Sequence, residues 1–155
     1  MPHLRSSDEL LVHARFVLER ERVRLSALTA GDLVLTGGSS VPGALTVGDI
    51  DLHLRVDPAE FAASVALLRE VYHPVHLEIW SESLATFAIP GEHVGIAVTP
   101  IGSEHDRRFS EAWRRLRTDS TLLEAYNRMK RDHAHDADAE YLAAKADFFN
   151  WLADG

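Results

Sequence analysis

A chain of 155 residues fits one domain better than two, and 46% hydrophobic with 26% charged residues supports a packed core and excludes a disordered chain. Acidic side chains outnumber basic ones by 24 to 16, and the formal charge of −8 argues against nonspecific nucleic-acid binding, which rests on Lys and Arg neutralising phosphates. With no cysteine there are no disulfides, no thiol catalysis and no zinc site built on sulfur, while a small phosphorylated ligand carried in with magnesium stays compatible.

The opening residues, Met1-Pro-His-Leu-Arg-Ser-Ser-Asp8, have no apolar signal-peptide core. Ser6 and Glu9 sit at capping-box spacing, and Leu10, Leu11, Ala14, Val17, Leu18, Leu25 and Leu28 recur helically, so the first helix is expected over about 7–28. Asp32-Leu-Val-Leu-Thr36 reads as a short buried strand, ended by the strong turn chemistry of Gly37-Gly-Ser-Ser-Val-Pro-Gly43. The longest uncharged stretch, between Asp32 and Asp49, is too short and too rich in Gly, Ser and Pro to span a bilayer. A soluble, cytoplasmic protein with no membrane or nucleic-acid partner is the expectation. Asp49-Ile-Asp-Leu-His-Leu-Arg-Val56 alternates polar and apolar residues, the period of a half-buried strand. Asp57 before Pro58 is an N-cap followed by a first-turn proline, and Phe61, Val65, Leu67 and Leu68 give the helix that follows an apolar face.

Three short strands are expected next, over 75–80, 85–89 and 94–99, the last two joined by a Pro90-Gly-Glu-His93 hairpin. From Ser103 onward the pattern is helical. Phe109, Ala112, Trp113 and Leu116 line one helix, Leu122, Leu123, Tyr126 and Met129 a second, and Tyr141, Leu142, Lys145, Phe148, Phe149 and Leu152 a third. An N-terminal helix, a mixed middle and a helical tail make an α+β fold, expected as one domain over residues 1–155.

The richest segment for chemistry runs from Gly37 to Asp51. Its glycines and serines make a strand-ending turn whose amides can approach a phosphate, Gly38 being without a Cβ. Asp49 and Asp51, two apart on a strand, project from one face with Cα atoms roughly 7 Å apart. That suits a hard divalent cation, and magnesium takes one or two carboxylates together with substrate phosphates. Two other motifs fail. Ala44-Leu45 stands where a P-loop needs Lys-Ser/Thr, and Val41 stands where a nucleophile elbow needs glycine.

These residues carry a resemblance. A hydrophobic strand, Gly38-Ser39, nine residues and Asp49-Ile-Asp51-Leu52 looks like the signature of the nucleotidyltransferase superfamily. More narrowly, Gly38-Ser-Ser-Val-Pro-Gly43 resembles the Gly-Ser-Thr-Ser-Val-Pro-Gly hallmark of the GrpB family. Tyr126-Asn-Arg-Met-Lys130 and Tyr141-Leu-Ala-Ala-Lys145-Ala-Asp-Phe148 are similar to that family's C-terminal pattern. The chain also departs from it. The strand that usually carries His-x-His, near the superfamily's third carboxylate, reads Val94-Gly-Ile-Ala-Val98, with Gly95 and Ala97 at the imidazole positions. A helix that usually contains Phe-Arg-Asp reads Ala112-Trp-Arg114.

The resemblance implies a small mixed β-sheet of the nucleotidyltransferase type with the helical tail closing one wall of a cleft. It implies a nucleoside triphosphate as donor and a small molecule or a protein as acceptor. Asp49 and Asp51 would hold magnesium as catalytic ligands, with Gly38, Ser39 and Ser40 on the triphosphate. Glu78, or His76 on the same face, would replace the missing third member. The chain has fourteen arginines and only two lysines, Lys130 and Lys145, each four residues after a tyrosine and so on its face of a helix. One reading is a lysine stem packed beside a ring; the other, raised by the resemblance, is a cation reaching a ligand phosphate. A noncatalytic ligand- or partner-binding module is the alternative, as is a family member repurposed in specialised metabolism. Asp132-His-Ala-His-Asp136 and Asp138 have the residue types of an HD-type phosphohydrolase, but they fall in one inter-helix loop where that site draws on several helices. The basic run Arg107, Arg108, Arg114, Arg115 and Arg117 reads as a solvated face, with an anion site as the alternative.

Overall fold

The computed structural model describes residues 3–154. The chain begins with a two-residue strand β1 (Arg5–Ser6) and a 3-10 turn capped by Ser6, whose hydroxyl accepts from the Asp8 amide at 3.2 Å. Helix α1 (Leu11–Ser26) follows, then β2 (Asp32–Thr36), a turn at Gly38–Ser40, β3 (Leu45–Thr46) and β4 (Ile50–Val56). Asp57 caps the next turn by accepting from the Ala59 amide at 2.9 Å, and α2 (Phe61–Val71) runs on from it. Strands β5 (His73–Pro74), β6 (Ala85–Ala88) and β7 (Val94–Pro100) precede α3 (Glu104–Thr118), α4 (Ser120–Asp132) and α5 (Asp138–Asp154).

The main sheet has the order β2-β4-β7-β6-β5, with β4 and β7 parallel and the other neighbours antiparallel. Alternation along β4 sends Ile50, Leu52, Leu54 and Val56 to one face and Asp51, His53 and Arg55 to the other. The first set meets Val94, Ile96 and Val98 of β7 and Phe87 of β6, under Ala14, Val17, Leu18 and Leu25 of α1 and Leu68 of α2. Each of the larger side chains, Val, Leu, Ile or Phe, contributes about 1.5–3 kcal/mol by leaving water. A second cluster joins Val41 and Ala44 to Leu116, Tyr126 and Leu152, and so fastens the helical tail to the loop after β2.

On the polar face of the sheet, His53 is buried and shares a hydrogen bond with Thr99 of β7, Nε2 to Oγ1, at 2.7 Å. Thr99 reaches Asp106 of α3, whose carboxylate takes both arms of Arg55 at 2.6 and 3.0 Å and the Gly102 amide at 2.9 Å. This network ties α3 to the two central strands.

The strand expected over 75–80 does not form. Only His73–Pro74 pairs with β6, His76 turns left-handed at φ 52°, and Leu77–Ile79 is a 3-10 turn with Leu77 and Ile79 exposed. Alternating Leu77 and Ile79 imitate a strand, but the Trp80 indole N–H donates to both the Val75 carbonyl and Thr86 Oγ1 at 3.0 Å and folds the segment back on itself. The basic run on α3 is also more than a solvated face. Arg115 donates to the Leu152 carbonyl at 2.5 Å, Arg117 to Ser40 Oγ at 3.2 Å, and Arg108 to Asn150.

Burial lowers the His53 imidazole to about 4, against the pull of Asp106, so the folded protein holds it neutral. The unfolded chain binds this proton near pH 6.5, so the stability from neutral burial is complete above that pH and is lost as pH falls toward 4. The loss is on the order of 3 kcal/mol. His53→Gln keeps a hydrogen-bonding group but cannot be charged. Urea melts between pH 7 and 4.5 should therefore give a flatter stability profile for the variant than for the wild type; parallel profiles would refute the neutral buried imidazole.

Candidate functional site

A cleft of about 820 Å³ lies between the polar face of the sheet and the helical tail. Its floor is Thr36 and Gly37 at the end of β2, Asp49 and Asp51 at the start of β4, and Gly95 and Ala97 of β7. The register sets these side by side, with Asp51 between Thr36 and Gly95 and His53 opposite Ala97. The helical wall supplies Tyr126 and Lys130 from α4 and Tyr141 and Lys145 from α5, so both lysines share the cleft with both aspartates.

Asp51 is seated between two glycines. A Cβ on Gly37 would stand 2.5 Å from Asp51 Oδ2, at a positive φ of 68°, and one on Gly95 would stand 3.4 Å from Oδ1. At Gly37 the backbone therefore closes on the carboxylate where a side chain would displace it, while at Gly95 a methyl group would only touch it. Gly38, the position expected to need a bare backbone, is freer, since its Cβ would meet nothing nearer than the Tyr126 hydroxyl at 3.2 Å. Burial pushes the Asp51 carboxyl up from the ordinary carboxylate range, Lys145 pulls it down, Asp49 pushes it further up, and Lys130 pulls it down. Asp49 itself is exposed at the rim.

Lys130 is buried and lies across two rings, its Nζ 5.0 Å from the Tyr141 centroid and 5.8 Å from that of Tyr126, and it donates to the Tyr141 hydroxyl. The tyrosine four residues before it is thus one partner, and the tyrosine of the neighbouring helix is the closer one. Burial lowers the ammonium's pKa, while Asp51 and Asp49 oppose the shift.

The turn is clamped from two sides. Ser7 donates its hydroxyl to the Val41 carbonyl at 2.5 Å and its amide to the Ala44 carbonyl at 2.8 Å, and Asp8 accepts from the Gly43 amide at 3.2 Å. From α4, Asn127 accepts from the Leu45 amide at 2.8 Å and donates to the Gly43 carbonyl at 3.0 Å. The two serines expected on a phosphate are engaged by the chain itself. Ser40 donates to the Gly37 carbonyl at 2.7 Å, Ser39 is buried and points to the Thr36 carbonyl at 3.4 Å, and neither lines the cleft. Glu78 is also set apart: it is exposed on the 3-10 turn, 3.6 Å from His76 Nδ1, and off the cleft lining, whereas His76 touches it. The carboxylates that the sheet end of the cleft could offer a cation are therefore Asp49 and Asp51. No group of three or more His, Cys, Asp or Glu with metal-binding geometry occurs among the described residues. Two carboxylates beside an open, glycine-lined floor fit magnesium that completes its shell with phosphate and water oxygens.

The family described as GrpB protein matches residues 12–154. No curated protein matches the chain. Among solved structures, the conserved protein GrpB from Enterococcus faecalis is similar over 97% of this chain and 99% of its own, with a TM-score of 0.66 and 13% identity. The Cid1 poly(U) polymerase in its MgGTP-bound form is similar over 77% of this chain and 41% of its own, with a TM-score of 0.50 and 14% identity. The fold is therefore of the nucleotidyltransferase type, an α+β architecture on a mixed five-stranded sheet.

Because folding raises the Asp51 pKa, the ionised carboxylate opposes folding at neutral pH in the absence of a cation. In metal-free buffer at pH 7, Asp51→Asn should melt a few degrees above the wild type. A lower melting temperature in calorimetry would mean that attraction to the two lysines outweighs the burial cost.

Proposed function

The chain belongs to the GrpB family, and from that premise we propose that its cleft binds a nucleoside triphosphate with magnesium and transfers the nucleotidyl group to a small-molecule or protein acceptor. The observation that carries this reading is the opposition of charges across one cleft: a buried carboxylate, Asp51, with the exposed Asp49 beside it, two ammonium groups on the helical wall, and room for a ligand between. A magnesium triphosphate has the complementary pattern. Its cation meets the carboxylates and its phosphate oxygens meet the lysines.

Asp49 and Asp51 would hold the cation, which when bound neutralises phosphate charge and stabilises the oxygens that attack and leave. Lys130 and Lys145 bind the phosphates from the opposite side, and the Tyr141 hydroxyl holds the Lys130 ammonium in place. Gly37 and Gly38 offer bare backbone at the floor, and the clamp on the following loop keeps that backbone in position without a ligand's help. Ser39 and Ser40 shape the turn and leave the phosphates to the amides and the lysines.

One observation favours a second reading. Gly95 and Ala97 stand beside Asp51 and His53 with no donor atom in their side chains, so β7 adds nothing to the two carboxylates. A module that binds a nucleotide without reacting with it, or a protein repurposed for other chemistry, would have that floor.

Thermal shift with each common nucleoside triphosphate separates the readings. A ligand at a hundredfold excess over its Kd stabilises by about 2.7 kcal/mol, which is roughly 5–10 °C for a chain of this size. The expected result is a shift that needs magnesium, disappears in Asp51→Asn, and is reduced in Lys130→Met and Lys145→Met. A shift of equal size in chelator would reject the magnesium reading. Gly37→Ala should lose the shift and Gly38→Ala should keep more of it, since only the former drives a methyl group into Asp51. The reverse order would place the ligand at Gly38.

A further inference from the structure

The helical wall of the cleft carries one pair of reactive side chains that binding of a magnesium triphosphate leaves unused. His133 caps the C-terminal end of α4, Asp136 follows in the loop to α5, and imidazole Nδ1 lies 2.5 Å from carboxylate Oδ2. Both side chains are partly accessible, at 39% and 28%, and both line the cleft. Of the same His- and Asp-rich run, Asp132 and His135 are exposed and do not line it, while Asp138, at the start of α5, is exposed and does. Within the run, His133 and Asp136 are the imidazole and carboxylate that both reach the cleft and bond to each other.

The direction of that hydrogen bond decides what the imidazole can do. A carboxylate only accepts, so Asp136 holds the proton on Nδ1 and leaves the Nε2 lone pair free. The floor of the cleft has no equivalent on β7, where Gly95 stands opposite Asp51 and Ala97 opposite His53, neither with a titratable side chain. We infer that His133 is the general base of the acceptor subsite, with Asp136 as its positioning residue; the inference rests on the nucleotidyl-transfer reading. Nε2 takes the proton of the acceptor hydroxyl while that oxygen bonds to the α-phosphorus. The bond from that phosphorus to the bridging oxygen breaks, and pyrophosphate leaves with the electron pair. When water is the acceptor, the products are the nucleoside monophosphate and pyrophosphate.

The experiment uses the full chain, magnesium and UTP, with water as acceptor and pyrophosphate release as the rate, alongside nitrogen NMR of the imidazoles. His133 should appear as the Nδ1–H tautomer, shift to a mixture in D136N, and move when magnesium and UTP are added. H133Q should lower kcat about 100-fold with KM for UTP and the melting temperature little changed, the loss expected of a general base. D136N should lower kcat less, in step with the fraction of the wrong tautomer. A His133 protonated on Nε2 in the wild type would overturn the inference by itself, whatever the protein binds. So would an unchanged kcat in H133Q when D51N has lost nucleotide binding, and in that case the transfer reading stands without this base. A wild type that binds no nucleotide rejects the transfer reading and removes the reaction His133 would serve, while the tautomer still reports whether Asp136 orients it.

Discussion

Strand β4 has to satisfy two opposite demands with alternate residues, and the register of its neighbours decides whether it can. Ile50, Leu52, Leu54 and Val56 belong to the core, and Asp51, His53 and Arg55 to the polar face. A slip of one residue would place two charged groups and an imidazole under α1 and four aliphatic side chains in the cleft. Pairing with β2 on one side and β7 on the other fixes the register from both edges. Further along the same polar face, His53, Thr99, Asp106 and Arg55 close a network whose members all find partners, which fixes where α3 crosses the sheet. The first polar residue, Asp51, is left at the open end, where no such network reaches it.

That arrangement leaves the cleft under electrostatic tension. Asp51 is desolvated beside a second carboxylate, and Lys130 is desolvated across from it. A structural ion pair would relieve both at once, and other charged groups in this chain do so: Arg55 grips Asp106, Arg20 joins Glu21 to Glu92, and Arg114 holds Glu111. The cleft groups instead act on each other at a distance. The surrounding structure holds them there, because α4 is fixed to the loop through Asn127 and the loop to the N-terminal turn through Ser7 and Asp8. Stability given up at such a place is ordinary for a site shaped around a ligand.

Much of this was legible in the residues. Period-two alternation located β4, a hairpin turn between short β-like runs located β6 and β7, Ser6 and Asp57 announced their caps, and the glycine-serine turn with Asp49 and Asp51 pointed to the floor of the cleft. The failures have physical causes. Leu77 and Ile79 alternate like strand residues, and only the reach of the Trp80 indole, a tertiary fact, folds them into a turn. Gly37 and Gly38 look alike in sequence, and the register of Asp51 against Thr36 decides which one cannot carry a Cβ. The serines suggested hydroxyls for a phosphate, but a tight turn has carbonyls of its own to satisfy, and they lie closer. The pairing of His133 with Asp136 was in plain view at a spacing of three, yet which members of that run face inward depends on where α4 ends.

The scarcity of lysine acquires a physical meaning once the two ammonium groups are located. An arginine paired with a carboxylate has little charge left for a ligand, because the two fields cancel a few ångströms away. A lysine held by aromatic faces is different. The rings of Tyr126 and Tyr141 attract the Lys130 ammonium through their quadrupoles, and the Tyr141 hydroxyl accepts a hydrogen bond from it, without contributing a negative charge. The cation is therefore fixed in position and remains uncompensated. Among the described residues, neither lysine has a carboxylate oxygen within ion-pair distance, although both line a cleft floored by aspartates. Replacing Tyr141 with an acidic residue would hold Lys130 as firmly and remove the charge that an anionic ligand could use. The two tyrosines thus do for Lys130 what most of the fourteen arginines, tied to the chain's own oxygens, do not: they keep positive charge available inside an acidic protein.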